Sequence, residues 1–136
     1  HHDFMNEFTN RMSRVPEDFD FFSLFIPRDH DKWFSYRPKM DDDGMIIDGM
    51  YAHEGIAYNQ VSRDIFRPWQ RYGGVSMVWS PKGAAKALDL IRERPYGQWD
   101  EFVYANSRLG RLNGFTSNPT LSDLVYITGS EESLVH

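Results

Sequence analysis

The chain contains no cysteine. That excludes disulfides, thiolate metal sites and a cysteine nucleophile, and it leaves the redox compartment open. Long apolar runs are missing as well. No stretch approaches the roughly 20 residues that a membrane span needs, so no span is expected. Phosphate-loop and dinucleotide fingerprints are absent, and no Gly-x-Ser-x-Gly surrounds a serine. Positive charge is in the minority: 15 Lys and Arg against 20 Asp and Glu leave a net charge of −5. This argues against nucleic acid as a partner, because a backbone binder usually carries a basic patch. The histidines show no paired ligand spacing: His1 and His2 are adjacent and terminal, and His30 and His53 are isolated. The opening His1-His2-Asp3 has no initiator Met, so either missing upstream sequence or the end of a tag is expected. No secretory signal is visible, and a cytoplasmic setting is the expectation.

What is present fits one domain spanning 1–136, a length that can bury a core of its own. Aromatic residues make up 15% of the chain, enough to serve both stacking surfaces and core. Residues 3 to 14 are expected to be helical, with Phe4, Phe8 and Met12 on one face and Met5 beside them, and Pro16 ending the helix. Phe19 to Ile26, bounded by Pro16 and Pro27, reads as a buried strand. Residues 27 to 44 read as loop. Met45-Ile46-Ile47 and Gly55-Ile56-Ala57-Tyr58 are candidate strands, with Asp48-Gly49 as a turn signal, and Ile65-Phe66 is a short strand cut off by Pro68. Val75 to Trp79 is a strand with Val75, Met77 and Trp79 on one side and Ser76 and Val78 on the other. Ser80 is a natural N-cap and Pro81 a natural first helical residue. Ala84, Ala87, Leu88 and Ile91 are the expected apolar face of that helix, which ends before Pro95. A second helix starts near Trp99, with Phe102, Val103 and Leu109 apolar and Gly110 just past its end. Leu112 to Phe115 is a candidate last strand, and Leu124 to Ile127 a short apolar run in a loop tail. Alternating strands and helices make the class α/β.

Asp100 and Glu101 are the leading candidates for chemistry. Carboxylates at a helix start favour the positive end of its dipole, which is a structural role worth about 0.3–1 kcal/mol. The functional alternative is a general base. A carboxylate beside Trp99 is partly desolvated, which raises its pKa toward the range useful for taking a proton from a hydroxyl. Helix neighbours point about 100° apart, so one of the two faces a cleft, and Asp100 is favoured. Trp99 either stacks on a sugar or fills core. Gly73 and Gly74 either let a ligand approach the backbone or form a bulge. Asp41-Asp42-Asp43 offers oxygen ligands of the kind Mg²⁺ and Mn²⁺ take, but such a triplet is usually a solvated turn.

Four pieces, taken in order, resemble the second half of glycosyltransferases of family 25, the lipooligosaccharide and collagen galactosyltransferase type. His2-Asp3-Phe4 and its helix look like the segment after that family's Glu-Asp-Asp motif. Pro16-Glu17-Asp18-Phe19-Asp20-Phe21 with Leu24 is similar to its strand entry. Gly74 to Ala84 resembles its strand, Ser and Gly-Ala helix. Trp99-Asp100-Glu101-Phe102 looks like its Asp-(Asp/Glu)-Phe element, with Pro119 following. Each piece is short and degenerate, so their order and spacing carry the weight.

The resemblance implies a GT-A-like mixed sheet with flanking helices, incomplete at its N-terminus. It implies transfer of a sugar from a nucleotide-sugar donor to a glycan or other hydroxyl acceptor. It also implies a divalent metal, Mn or Mg, whose ligands are expected upstream of this chain, so no metal ligand is assigned within it. Asp100, with Glu101, carries over as acceptor-side acid or base. On the glycosyltransferase reading, Trp99, Gly73 and Gly74 are the residues expected to shape the substrate cleft. Pro27 to Val61 aligns with nothing in the family. Two other readings stand beside this one: a non-catalytic carbohydrate-binding or assembly module with the same fold, and a metal-dependent hydrolase using the Asp triplet.

Overall fold

In the computed structural model the described residues are 3–25, 39–47, 59–69, 76–94, 97–117 and 121. Their elements follow in the order α1 Phe4–Met12, β1 Phe21–Ser23, β2 Gln60–Ser62, β3 Ile65–Phe66, β4 Met77–Trp79, α2 Pro81–Glu93, α3 Trp99–Arg108 and β5 Gly114–Ser117. The strands form one five-stranded sheet in the order β2-β3-β5-β1-β4. β1 runs parallel to β5, whereas β1–β4, β3–β5 and β2–β3 are antiparallel. The fold is α/β, a mixed sheet with flanking helices, as the alternation of elements implies. Among the described residues no helix is long and apolar enough to cross a membrane.

The two-residue period of a strand sorts the core into two halves. Phe22 and Phe115, opposite one another on β1 and β5, join Val15, Leu24, Ile65 and Leu121, and α1 lays Phe4, Phe8 and Met12 against them. Phe21, one position earlier, joins Phe102, Val103, Tyr104 and Leu112 of the opposite half. Met77 and Trp79 of β4 and Leu90 and Ile91 of α2 close that half, while Val78 packs on the first. Thus α1 covers one face of the sheet, and α2 with α3 covers the other. Each fully buried ring contributes roughly 1.5–3 kcal/mol through apolar burial. Met5, beside the α1 stripe in sequence, is exposed.

α2 begins where its capping residues say it should. Ser80 Oγ accepts from the Gly83 amide at 2.9 Å, and Pro81 occupies the first turn without needing a donor. Its buried face differs from the expected one. Ala87 is buried and Ile91 packs, but Ala84 is exposed and Leu88 is 54% exposed. The cause is Gly83. A Cβ there would stand 2.2 Å from the Asp20 carbonyl oxygen, so the helix meets the entry of β1 backbone to backbone. That contact sets the inward line as Gly83, Ala87, Leu90 and Ile91, and Leu88 lies about 100° off the Ala87 direction.

α3 stops at Arg108. Gly110 takes a left-handed φ of 78°, its amide returns to Ser107 O at 3.1 Å, and the Arg111 amide returns to Asn106 O at 2.9 Å. Leu109, expected on the apolar face of the helix, is its exposed C-cap.

The strands differ from expectation in extent. Met45 to Ile47 contributes one bridge, Met40 to Ile46, and the last strand begins at Gly114 rather than Leu112. β2 arises instead from Gln60 to Ser62, paired with β3 through a turn in which Asp64 adopts φ 63°. Asp tolerates this conformation better than most residues. Arg14 fixes the turn from α1's side, donating to Arg63 O at 2.9 Å and pairing with Asp64 at 3.4 Å. The expected features at Ile26, Asp48-Gly49, Gly55 to Tyr58, Val75 and Leu124 to Ile127 lie outside the described residues.

Candidate functional site

The start of α3 brings together Trp99, Asp100 and Glu101. Gln98, its N-cap, makes no side-chain cap hydrogen bond. Asp100 Oδ1 instead accepts from the Glu101 amide at 2.9 Å, satisfying one of the four open donors of the first turn. The carboxylates of Asp100 and Glu101 also sit at the positive end of the helix dipole. The structural role foreseen for an acid at this place is therefore real, and Asp100 carries it.

Trp99 is 43% exposed, although it belongs to an aromatic series. Its ring lies 5.7 Å from Phe102 at an interplanar angle of 25°, and 5.7 Å from Trp79 at 45°. Trp79 in turn packs on Phe21 at 5.3 Å. The chain of rings ties an exposed indole to the buried core, so Trp99 is held in place while much of its surface stays open. Gly73 and Gly74 lie outside the described residues.

Another constellation sits around Asp20, at the entry to β1. Asp20 is 0% exposed. Its Oδ2 accepts from the Lys86 ammonium at 2.7 Å and from the Asn113 amide at 2.8 Å. Its Oδ1 has no hydrogen bond among the described residues and lies 3.9 Å from Lys82 Nζ. The main chain of Asp20 is also engaged: the amide donates to Asn113 O at 2.7 Å, and the carbonyl accepts from Ser80 at 3.1 Å. One buried acid thereby joins the entries of β1 and β5 to the start of α2. A buried carboxylate costs several kcal/mol unless it is paired and hydrogen-bonded, and Lys86 and the Asn113 amide supply both.

Lys82 and Lys86 share one face of α2 by their four-residue spacing. They line an open pocket of about 380 Å³ together with Arg67, Asn113, Asp18 and the end of α3 at Ser107 and Gly110. Arg67 follows β3, and its Nη1 donates to Asn113 Oδ1 and to Gly114 O. Its guanidinium carbon sits 4.2 Å from the centre of the Phe115 ring. Asn113 Nδ2 donates to Asp18 O at 3.0 Å, and Lys82 donates to the same carbonyl at 3.3 Å. Ser107 is about two turns along α3 from Asp100, roughly 10 Å of helix rise, so this pocket is separate from the α3 start. Sequence reasoning did not single it out. The spacing of Lys82 and Lys86 was a signal available for two of its cations, and nothing local announced Arg67.

The acidic triplet forms a turn. Asp41 Oδ1 accepts from the amides of Asp43 and Met45, both at 2.9 Å, and Arg63 donates to Asp42 O at 2.8 Å. Among the described residues no group of three or more His, Asp or Glu side chains is placed to hold a metal ion. No family model, no curated protein and no solved structure matches the chain.

Proposed function

We propose that the chain is a glycosyltransferase domain, or the C-terminal portion of one, moving a sugar from a nucleotide-sugar donor to an acceptor hydroxyl. The observation that carries this reading is the α3 start: an anchored but open indole, Trp99, followed in sequence by Asp100 on the first turn of the helix. An indole face suits the C–H face of a sugar ring. A neighbouring carboxylate suits a hydroxyl that must lose its proton.

In the reaction, the acceptor oxygen attacks the donor's anomeric carbon, and the bond from that carbon to the nucleoside diphosphate breaks. The proton of the acceptor hydroxyl passes to Asp100, which acts as general base. Asp100 Oδ1 already accepts from the Glu101 amide, which holds the carboxyl group in one orientation. A divalent ion would supply stabilisation of the leaving diphosphate, and none of the steps assigned to these residues depends on it.

Calorimetric titration with a panel of nucleotide sugars, with and without Mn²⁺, tests the reading. Donor binding supports the enzyme. Binding of glycans without any donor favours the non-catalytic carbohydrate-binding module. Binding of neither overturns both.

A further inference from the structure

The pocket beside Asp20 has a composition at odds with the chain around it. The protein carries a net charge of −5, yet Arg67, Lys82 and Lys86 converge on this one cavity. Asp18 on its wall and the buried Asp20 offset two of these charges and leave an excess of one positive charge. The three cations are not equivalent. Lys86 is held by Asp20 at 2.7 Å. Lys82 is 58% exposed, with one long hydrogen bond to Asp18 O and a loose ion pair to Asp20 at 3.9 Å, so its ammonium retains open donors toward the cavity.

Arg67 is held by contacts on two sides. Both of its hydrogen bonds leave from Nη1, and Phe115 supports the plane of the guanidinium. Among the described residues no protein acceptor is recorded for its Nε or Nη2. A guanidinium fixed through one nitrogen and a ring face presents a pre-organised donor edge, which is the geometry that recognises oxyanions. The carbonyls at the end of α3 do not compete, because Ser107 O and Asn106 O are closed by the amides of Gly110 and Arg111.

The geometry points to a binding site for a phosphate group, with Arg67 as the fork and Lys82 as the second cation. A planar carboxylate is satisfied by one guanidinium, whereas a tetrahedral dianion offers oxygens in several directions. Cations that come from β3's end and from α2 match the latter. The site lies at the far end of α3 from Asp100 and does not rest on the glycosyltransferase reading.

The chain of 16.0 kDa suits amide-resolved NMR titration at low ionic strength. Inorganic phosphate should shift the amides of Arg67, Lys82 and Asn113 in a saturable way below about 10 mM. Acetate at equal concentration should bind at least about fivefold more weakly, because it cannot engage both cations. Lys82→Gln, at a half-exposed position, should leave the spectrum folded and weaken phosphate roughly fivefold. Arg67→Lys keeps the charge but loses the fork, and should weaken it about tenfold. Glycerol phosphate compared with inorganic phosphate tells an ester ligand, bound more tightly, from the free anion, bound equally; either outcome supports the site. No saturable shift, equal binding of acetate, or unchanged affinity in folded Lys82→Gln overturns it.

Discussion

Two aspartates in this molecule stand in motifs that look alike on paper, and the structure treats them in opposite ways. Asp20 enters β1, has no exposed surface, and is bonded by Lys86 and by the Asn113 amide. Asp100 opens α3, is partly exposed, and accepts from the backbone of the next residue. Asp20 joins three elements and has the character of scaffold. Asp100 follows Trp99, an open indole anchored to the core, and belongs to one helix turn; the proposed function gives it a chemical role. An acid next to a helix or strand end is no guide to chemistry until its burial and partners are known.

The contrast can be broken most forcefully at the Asp20 end. Gly83→Ala would drive a Cβ into the Asp20 carbonyl, with three backbone atoms inside 2.7 Å. Since backbone cannot rotate away, the expected loss is about 3 kcal/mol or more, read as the denaturation midpoint. A variant as stable as the parent would mean that α2 does not press on the β1 entry. Lys86→Met should cost somewhat less, about 2–3 kcal/mol, because it leaves a buried carboxylate with the Asn113 amide and a distant Lys82. Equilibrium unfolding in urea would measure it, and a neutral result would remove the scaffold role assigned to Asp20. Ser80→Ala is expected to lose about 1 kcal/mol, the usual cost of an N-cap, with Gly as the gentler control. Asp100→Asn should have the smallest effect on stability, a few tenths of a kcal/mol and about 1 kcal/mol at most, because the amide oxygen can still accept from Glu101 and only the charge at the helix start is lost. A large destabilisation there would make Asp100 scaffold too and collapse the distinction.

Features decided by neighbours in sequence were legible in it. Ser80-Pro81 marked the start of α2, Gly110 marked the end of α3, and Phe4, Phe8 and Met12 marked the α1 stripe, since caps and helix faces are set within a turn or two. Features decided by contact at a distance were not. Leu88 looks inward in the sequence because a glycine carries no apolar weight, yet it is Gly83 that touches the sheet. β2 is not legible because Gln60-Val61-Ser62 has no buried pattern. What holds it is the hairpin, together with the Gln60 side chain, which reaches Ile46 N and Gly44 O, both at 2.8 Å. The basic pocket draws Arg67, Lys82 and Asn113 from separate elements, so only the fold assembles it. The start of α3 near Trp99 is legible in the sequence, but whether Trp99 is core is not. The ring series shows it is anchored in the core and open at once.

The most direct test is turnover of purified Asp100→Asn against the parent, with release of nucleoside diphosphate from a nucleotide-sugar panel as the readout and thermal unfolding measured alongside. A general base at this position predicts a fall of about 10²-fold or more in transfer, with donor affinity and melting temperature nearly unchanged. Transfer at the parental rate by the folded variant would contradict the account.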